Sequence, residues 1–218
     1  MSLYGYDWPQ GGTKQVIYLD RQHHLQELVV GFSSPWRGAD LAALTGAPLA
    51  SGSALTGYAW SAGGTKQAAY VDERGHVIEL FVSAGAPWQS ADLTELTGAP
   101  LVGREALAGY DWLNGGTKQV VYVDEQGHVI ELFVAAGTLW QWADLTQLTG
   151  APLLQQSPLT GYAWVWGASK QVAYMDDQGH VIELRAGLNS PWRCANLTAL
   201  MKSSESSFSR VKTQQESW

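Results

Sequence analysis

The sequence predicts an all-β fold of four like units. Three observations carry this: an internal repeat in strict register, short β-branched runs bounded by turn residues, and apolar character on both faces of those runs. Gly-Tyr-x-Trp occurs at 5–8, 57–60, 109–112 and 161–164, and Lys-Gln at 14–15, 66–67, 118–119 and 170–171. Tyr18, Tyr70, Tyr122 and Tyr174 each open a Tyr-x-Asp, and His24, His76, His128 and His180 keep the same spacing. Every step is 52 residues, with no insertion or deletion from Gly5 to Leu200. A fixed period of this size is the mark of a repeat architecture.

Within one unit the elements follow in order. Leu-x-Gly-Tyr-x-Trp is a first strand, closed by a Gly-Gly-Thr-Lys turn. Lys118 to Asp124 and His128 to Val134 in the third copy are rich in Val, Ile, Phe and Tyr, so length and β-branching make them strands. Asp124-Glu125-Gln126-Gly127 between them has hairpin chemistry: Asp opens the turn and Gly tolerates a positive φ. Ala91-Asp92-Leu93-Thr94 in the second copy is a fourth strand whose Asp bonds local backbone. Val129 and Phe133 face opposite to Ile130, Leu132 and Val134, so both faces of this strand are apolar. A sheet wetted on one side would alternate polar and apolar instead. A sheet covered on both faces by its neighbours would not.

Four short strands per repeat and a period near ~40–50 residues point to a β-propeller of four-stranded antiparallel blades. Residues 1–200 form the propeller, in repeats of about 1–50, 51–102, 103–154 and 155–200. From Met201 the pattern stops, and 201–218 is a polar, Ser-rich tail expected to be disordered. If the blade is phased one strand later, residues 3–8 complete the last blade and close the ring. Four blades can close alone, or two chains can make one ring of eight, so a homo-oligomer is open.

Composition narrows the function. The net charge is −7 with no basic run, which argues against nucleic-acid binding and against adsorption to anionic membranes. No apolar stretch approaches the length of a membrane span, so membrane insertion is not expected. No signal peptide is visible at the N-terminus, which reads as cytoplasmic, with export by another route open. The single Cys194 allows no internal disulfide. The four His stand apart from other ligand types, and Gly-Gly-Thr-Lys is followed by a strand where a phosphate loop needs a helix. No metal or cofactor is expected.

Two repeated sets are candidates for ligand binding. Glu27, Glu79, Glu131 and Glu183 lie mid-strand in apolar runs, where an ionised carboxylate is costly unless paired. Each is either paired across strands with one of Lys14, Lys66, Lys118 and Lys170, exposed at a blade edge, or an acceptor for ligand hydroxyls. Trp36, Trp88, Trp140 and Trp192 follow a turn and either pack between blades or stack on the apolar face of a sugar. Trp8, Trp60, Trp112 and Trp164 read as core.

The unit resembles the fucose-specific lectins of the six-bladed β-propeller type. The matching residues in the third copy are Trp112, Val121-Tyr122, Gly127, Ile130-Glu131 and Trp140. The resemblance implies that a sugar sits between adjacent blades, held by the four Glu and by Trp36, Trp88, Trp140 and Trp192. The sugar-binding Arg of that family is not matched: its position holds Val16, Ala68, Val120 and Val172. Lys14, Lys66, Lys118 and Lys170, two residues earlier on the same strand face, carry the nearest positive charge, without the planar fork of Arg. The expected partner is therefore a glycan or glycoconjugate, fucose among them.

The expected function is a multivalent carbohydrate-binding lectin with equivalent sites between blades. The alternative is a non-catalytic propeller scaffold for protein–protein interaction, in which the Glu and Trp positions are buried and internally satisfied. An enzyme is not expected. Glycosidic cleavage needs two carboxylates with distinct roles, and four near-identical copies do not supply that asymmetry.

Overall fold

A computed structural model describes residues 2–155 and 158–202. Each repeat folds into one four-stranded antiparallel sheet whose strands run in sequence order. Blade 1 comprises β1 (Leu3–Trp8), β2 (Thr13–Leu19), β3 (Leu25–Gly31) and β4 (Arg37–Asp40). Blade 2 comprises β5 (Ala50–Trp60), β6 (Thr65–Asp72), β7 (Val77–Ser83) and β8 (Gln89–Asp92). Blade 3 holds β9 (Val102–Trp112), β10 (Thr117–Asp124), β11 (Val129–Ala135) and β12 (Gln141–Asp144). Blade 4 holds β13 (Leu159–Trp164), β14 (Ser169–Met175), β15 (Val181–Gly187) and β16 (Ser190–Asn196). The inner strands β1, β5, β9 and β13 together line an axial opening of about 500 Å3.

The hairpins form for the reasons the sequence suggests. Asp124 Oδ1 accepts from the backbone N–H groups of Gln126 and His128, and Gly127 takes φ 89°. Those bonds hold the turn that fixes β10 against β11, and with it the facing of every side chain on both strands.

Two expectations are corrected. The segment after the fourth strand is helical in all four copies: α1 (Leu41–Thr45), α2 (Leu93–Thr97), α3 (Leu145–Thr149) and, among the described residues, 197–202 in the last. Asp40, Asp92 and Asp144 cap the first three by accepting from the N–H groups of Ala43, Glu95 and Gln147, and Gly46, Gly98 and Gly150 end them at positive φ. The bond from Asp to local backbone was legible; the helix that it caps was too short to show a period. Secondly, residues 3–8 do not complete the last blade. They pair with β2 in their own sheet, from Leu3 opposite Tyr18 to Trp8 opposite Thr13. The Ser-rich tail lies, from Ser203 onward, outside the described residues, and Met201 and Lys202 are helical.

The core consists of three layers, one per junction. Ile17, Leu25 and Leu41 pack with Leu55, Tyr70 and Leu80 between blades 1 and 2. Tyr58, Val77 and Leu93 pack with Val120, Tyr122 and Leu132 between blades 2 and 3. Val121, Val129 and Leu145 pack with Val172, Tyr174 and Leu184 between blades 3 and 4. Burying these apolar areas is the main stabilising term. β1 packs beside β5, β5 beside β9 and β9 beside β13, whereas β13 does not pack back on β1 in the same way. The four blades form an arc.

Candidate functional site

The predicted residues meet at the junctions, and each junction takes them from two successive blades. Adjacent residues on a strand face opposite ways, so Lys66 on β6 points back to blade 1 and Gln67 points on to blade 3. Lys66 Nζ donates to Glu27 Oε1 at 2.5 Å. Lys118 donates to Glu79 at 2.6 Å and Lys170 to Glu131 at 2.6 Å. The cross-strand pairing expected for the Glu therefore exists, but across blades, with the lysine of the next copy. Within a blade, Glu27 sits opposite Ile17 and Lys14 opposite Val30, so Glu27 and Lys14 lie on different faces.

Each lysine head is also sandwiched between indoles. Lys66 Nζ lies 5.7 Å from the Trp8 ring of the preceding blade and 5.1 Å from Trp88 of its own. Lys118 lies 5.2 Å from Trp60 and 5.0 Å from Trp140, and Lys170 is 5.2 Å from Trp112 and 5.0 Å from Trp192. These are cation–π distances. Trp8, Trp60 and Trp112 are buried, as their core reading expects, while Trp88, Trp140 and Trp192 remain half-buried at the rim. Burial pushes the Lys66 amine below its ordinary value against the pull of Glu27. It pushes the Glu131 carboxyl up against Lys170 and a bond from Trp192. Both directions record the cost of taking ions out of water.

Gln15, Gln67, Gln119 and Gln171 belong to the site and were not singled out from sequence. All four are buried, with Nε2 donating to Thr13, Thr65, Thr117 and Ser169 in turn. Among the described residues their Oε1 atoms find no hydrogen-bond partner, and neither do the indole N–H groups of Trp8, Trp60 and Trp112 or the hydroxyls of Tyr6 and Tyr110. Tyr58 differs: its hydroxyl donates to Glu79 at 3.0 Å. A buried Gln recurring beside each Lys was the available signal.

The two ends of the arc leave the set incomplete. Lys14, in the first of the described blades, is exposed and lies 5.7 Å from Trp36. Asp7, Trp8, Lys14, Phe32, Ser34 and Trp36 line a cavity there of about 510 Å3. At the other end Glu183 accepts only from Tyr162, at 3.2 Å, among the described residues.

The histidines stiffen the outer edge instead of gathering at the site. His24, His76 and His128 bond Asp40, Asp92 and Asp144 at 2.6 to 2.7 Å, whereas His180 turns to Asp176 because Asn196 replaces the fourth Asp. Among the described residues no three His, Cys, Asp or Glu are grouped to hold a metal ion, and no helix is long and apolar enough to cross a membrane.

No family model and no curated protein matches this sequence. Solved structures do match in three dimensions. The BP39L lectin from Burkholderia pseudomallei superposes with a TM-score of 0.64 at 15% identity, over 88% of this chain and 53% of that one. AofleA from Arthrobotrys oligospora gives 0.63 at 17% identity, over 89% and 55%. A variant of the Aleuria aurantia lectin, solved with α-methyl-L-fucoside, gives 0.60 at 18% identity, over 89% and 62%. Its fold is that of these lectins. The chain spans about half the length of the first two structures, and at this identity the likeness concerns the fold. The propeller reading of the repeat thus stands, with four blades in this chain.

Proposed function

We propose that this chain is a multivalent, non-catalytic carbohydrate-binding lectin whose equivalent sites lie at the junctions between blades. One observation carries the reading. Every completed junction repeats a rim indole, a carboxylate, an ammonium and unpartnered Trp N–H and Gln carbonyl groups in one arrangement. Sugars present C–H patches beside hydroxyls that both donate and accept. A half-exposed indole face at the rim suits the C–H patches of that chemistry. A sugar would stack on the side of Trp88, Trp140 or Trp192 turned away from the lysine. The Glu and Lys would tune the site electrostatically, since they are already bonded to each other. The similar folds include a lectin solved with α-methyl-L-fucoside, which makes fucosides the first ligands to try. The absence of the family's Arg at Val16, Ala68, Val120 and Val172 makes non-fucosylated glycans the second. Repetition of weak sites raises affinity for clustered glycans through avidity.

Calorimetric titration and a broad glycan array test this. More than one site per chain is expected, and Trp140→Ala should remove one of them while the fold persists. Silence of the folded protein across the whole panel would sink the proposal. A second reading, a protein-interaction scaffold, is favoured by the burial of Glu27, Glu79 and Glu131 in internal ion pairs. It expects that silence.

A further inference from the structure

Three junctions are made within the chain and a fourth is presented as two separate halves. We propose that the outer face of blade 4 docks on the outer face of blade 1 of a second copy, repeating the junction that joins successive blades, so that two chains close one ring of eight.

The halves complement each other residue by residue. Glu27, Glu79 and Glu131 each receive the lysine of the following blade, which, among the described residues, leaves Glu183 as a carboxylate without a lysine and Lys14 as a lysine without a carboxylate. Trp60 is 9% exposed beneath Lys118, whereas its counterpart Trp164 is 52% exposed. Lys14 has its own Trp36 on one side and an open cavity where the preceding indole belongs.

Backbone approach gives a third match. A Cβ added at Gly57, Gly109 or Gly161 would fall 2.5, 2.3 or 2.5 Å from the tyrosine ring of the preceding blade, so these glycines are the floor on which that ring lies. A Cβ at Gly5 would meet only the Gln15 carbonyl, at 3.8 Å. Its missing ring corresponds to Tyr162, which is 42% exposed while Tyr58 and Tyr110 are 6%. Leu28 on the blade 1 face is 38% exposed where Leu80, Leu132 and Leu184 are fully covered.

The same chain does not join its own halves in this way, because β13 and β1 lack the close packing of β1 on β5, β5 on β9 and β9 on β13. The contact is head to tail, and such contacts either close into rings or run on as filaments. Two arcs meeting at both ends close with a two-fold axis and leave neither face exposed. One position weakens the new junction: Phe81 and Phe133 lie 5.4 and 5.2 Å from Lys118 and Lys170, and Arg185 replaces them in blade 4. The association is therefore weaker than the internal junctions and depends on concentration.

Light scattering of the full chain across a dilution series should move from 23.7 kDa toward twice that mass. Lys14→Glu and Glu183→Lys change exposed or half-exposed groups and should leave the circular dichroism unchanged. Each alone should weaken association by about 30-fold or more. Mixed together they should form a one-to-one heterodimer, because one junction then carries the reversed pair and the other the native pair. Arg185→Phe should tighten association. A wild type that stays at 23.7 kDa at its highest soluble concentration overturns the proposal. So does a dimer indifferent to both reversals, or a mixture no better associated than its parts. None of these readings involves a glycan.

Discussion

Blades 2 and 4 have closely similar sequences and different surroundings. Tyr58, Trp60 and Glu79 in blade 2 are sealed under blade 3, with Lys118 seated among them. Tyr162, Trp164 and Glu183 in blade 4 hold the corresponding places and are partly open. The residues are the same, so the difference comes from the neighbour. In an array of this kind stability is close to a sum of unit terms and junction terms. A residue's burial is then a property of its position in the array, which no single copy can reveal.

Three substitution pairs would break or sharpen that contrast, in order of expected size. Glu79→Ala leaves Lys118 buried without its counter-ion and should cost about 3–5 kcal/mol in urea melts. Glu183→Ala, measured in dilute solution, should cost less than about 1 kcal/mol. Equal costs would mean that the lysine clamp is not what seals a junction. Tyr58→Phe removes a buried bond to a carboxylate, worth about 1.5–3 kcal/mol, while Tyr110→Phe removes a hydroxyl that has no partner and should be near neutral.

The smallest effect concerns the edge caps. Burial is the largest single influence and raises the Asp40 carboxyl, but the bonds from Ala43 N–H, His24 and Gln26 and the charge of His24 together outweigh it and hold the group below its ordinary value. A carboxyl held low in the folded state adds stability above its unfolded pKa, near ~4, and loses it as pH falls. Asp40→Ala should therefore cost about 1 kcal/mol at neutral pH and flatten the acid side of the stability profile. Asn196→Ala should cost a similar amount with no change in that profile, since Asn196 caps by its amide oxygen, accepting from Ala199 N–H. A shared pH response would assign the acid sensitivity elsewhere.

Much of this was legible in the sequence. The strict register gave the blades, and the Asp-x-x-Gly turns gave the hairpins together with their facing. What escaped has a common cause. α1, α2 and α3 span little more than one turn, so they leave only a cap and a glycine as signals. The lysine partners of Glu27, Glu79 and Glu131 lie 39 residues ahead in the next copy, and choosing them over the lysine of the same copy requires knowing which face meets which blade. The open arc depends on side-chain packing around the axis, which strand patterning does not encode.

Each blade takes all four of its strands from a single repeat, and no hydrogen-bonded ladder crosses from one repeat to the next. Successive blades are held together by side chains, one connecting segment and a lone backbone bond at its end, from Ala50 N–H to the His23 carbonyl, from Val102 to Gly75 and from Leu154 to Gly127. A recombination event that duplicated or deleted one 52-residue copy would leave every surviving ladder whole and change the molecule by one junction. Blade number in such a lineage can drift by whole copies, and with it the valency of the surface, without any strand having to find a new partner.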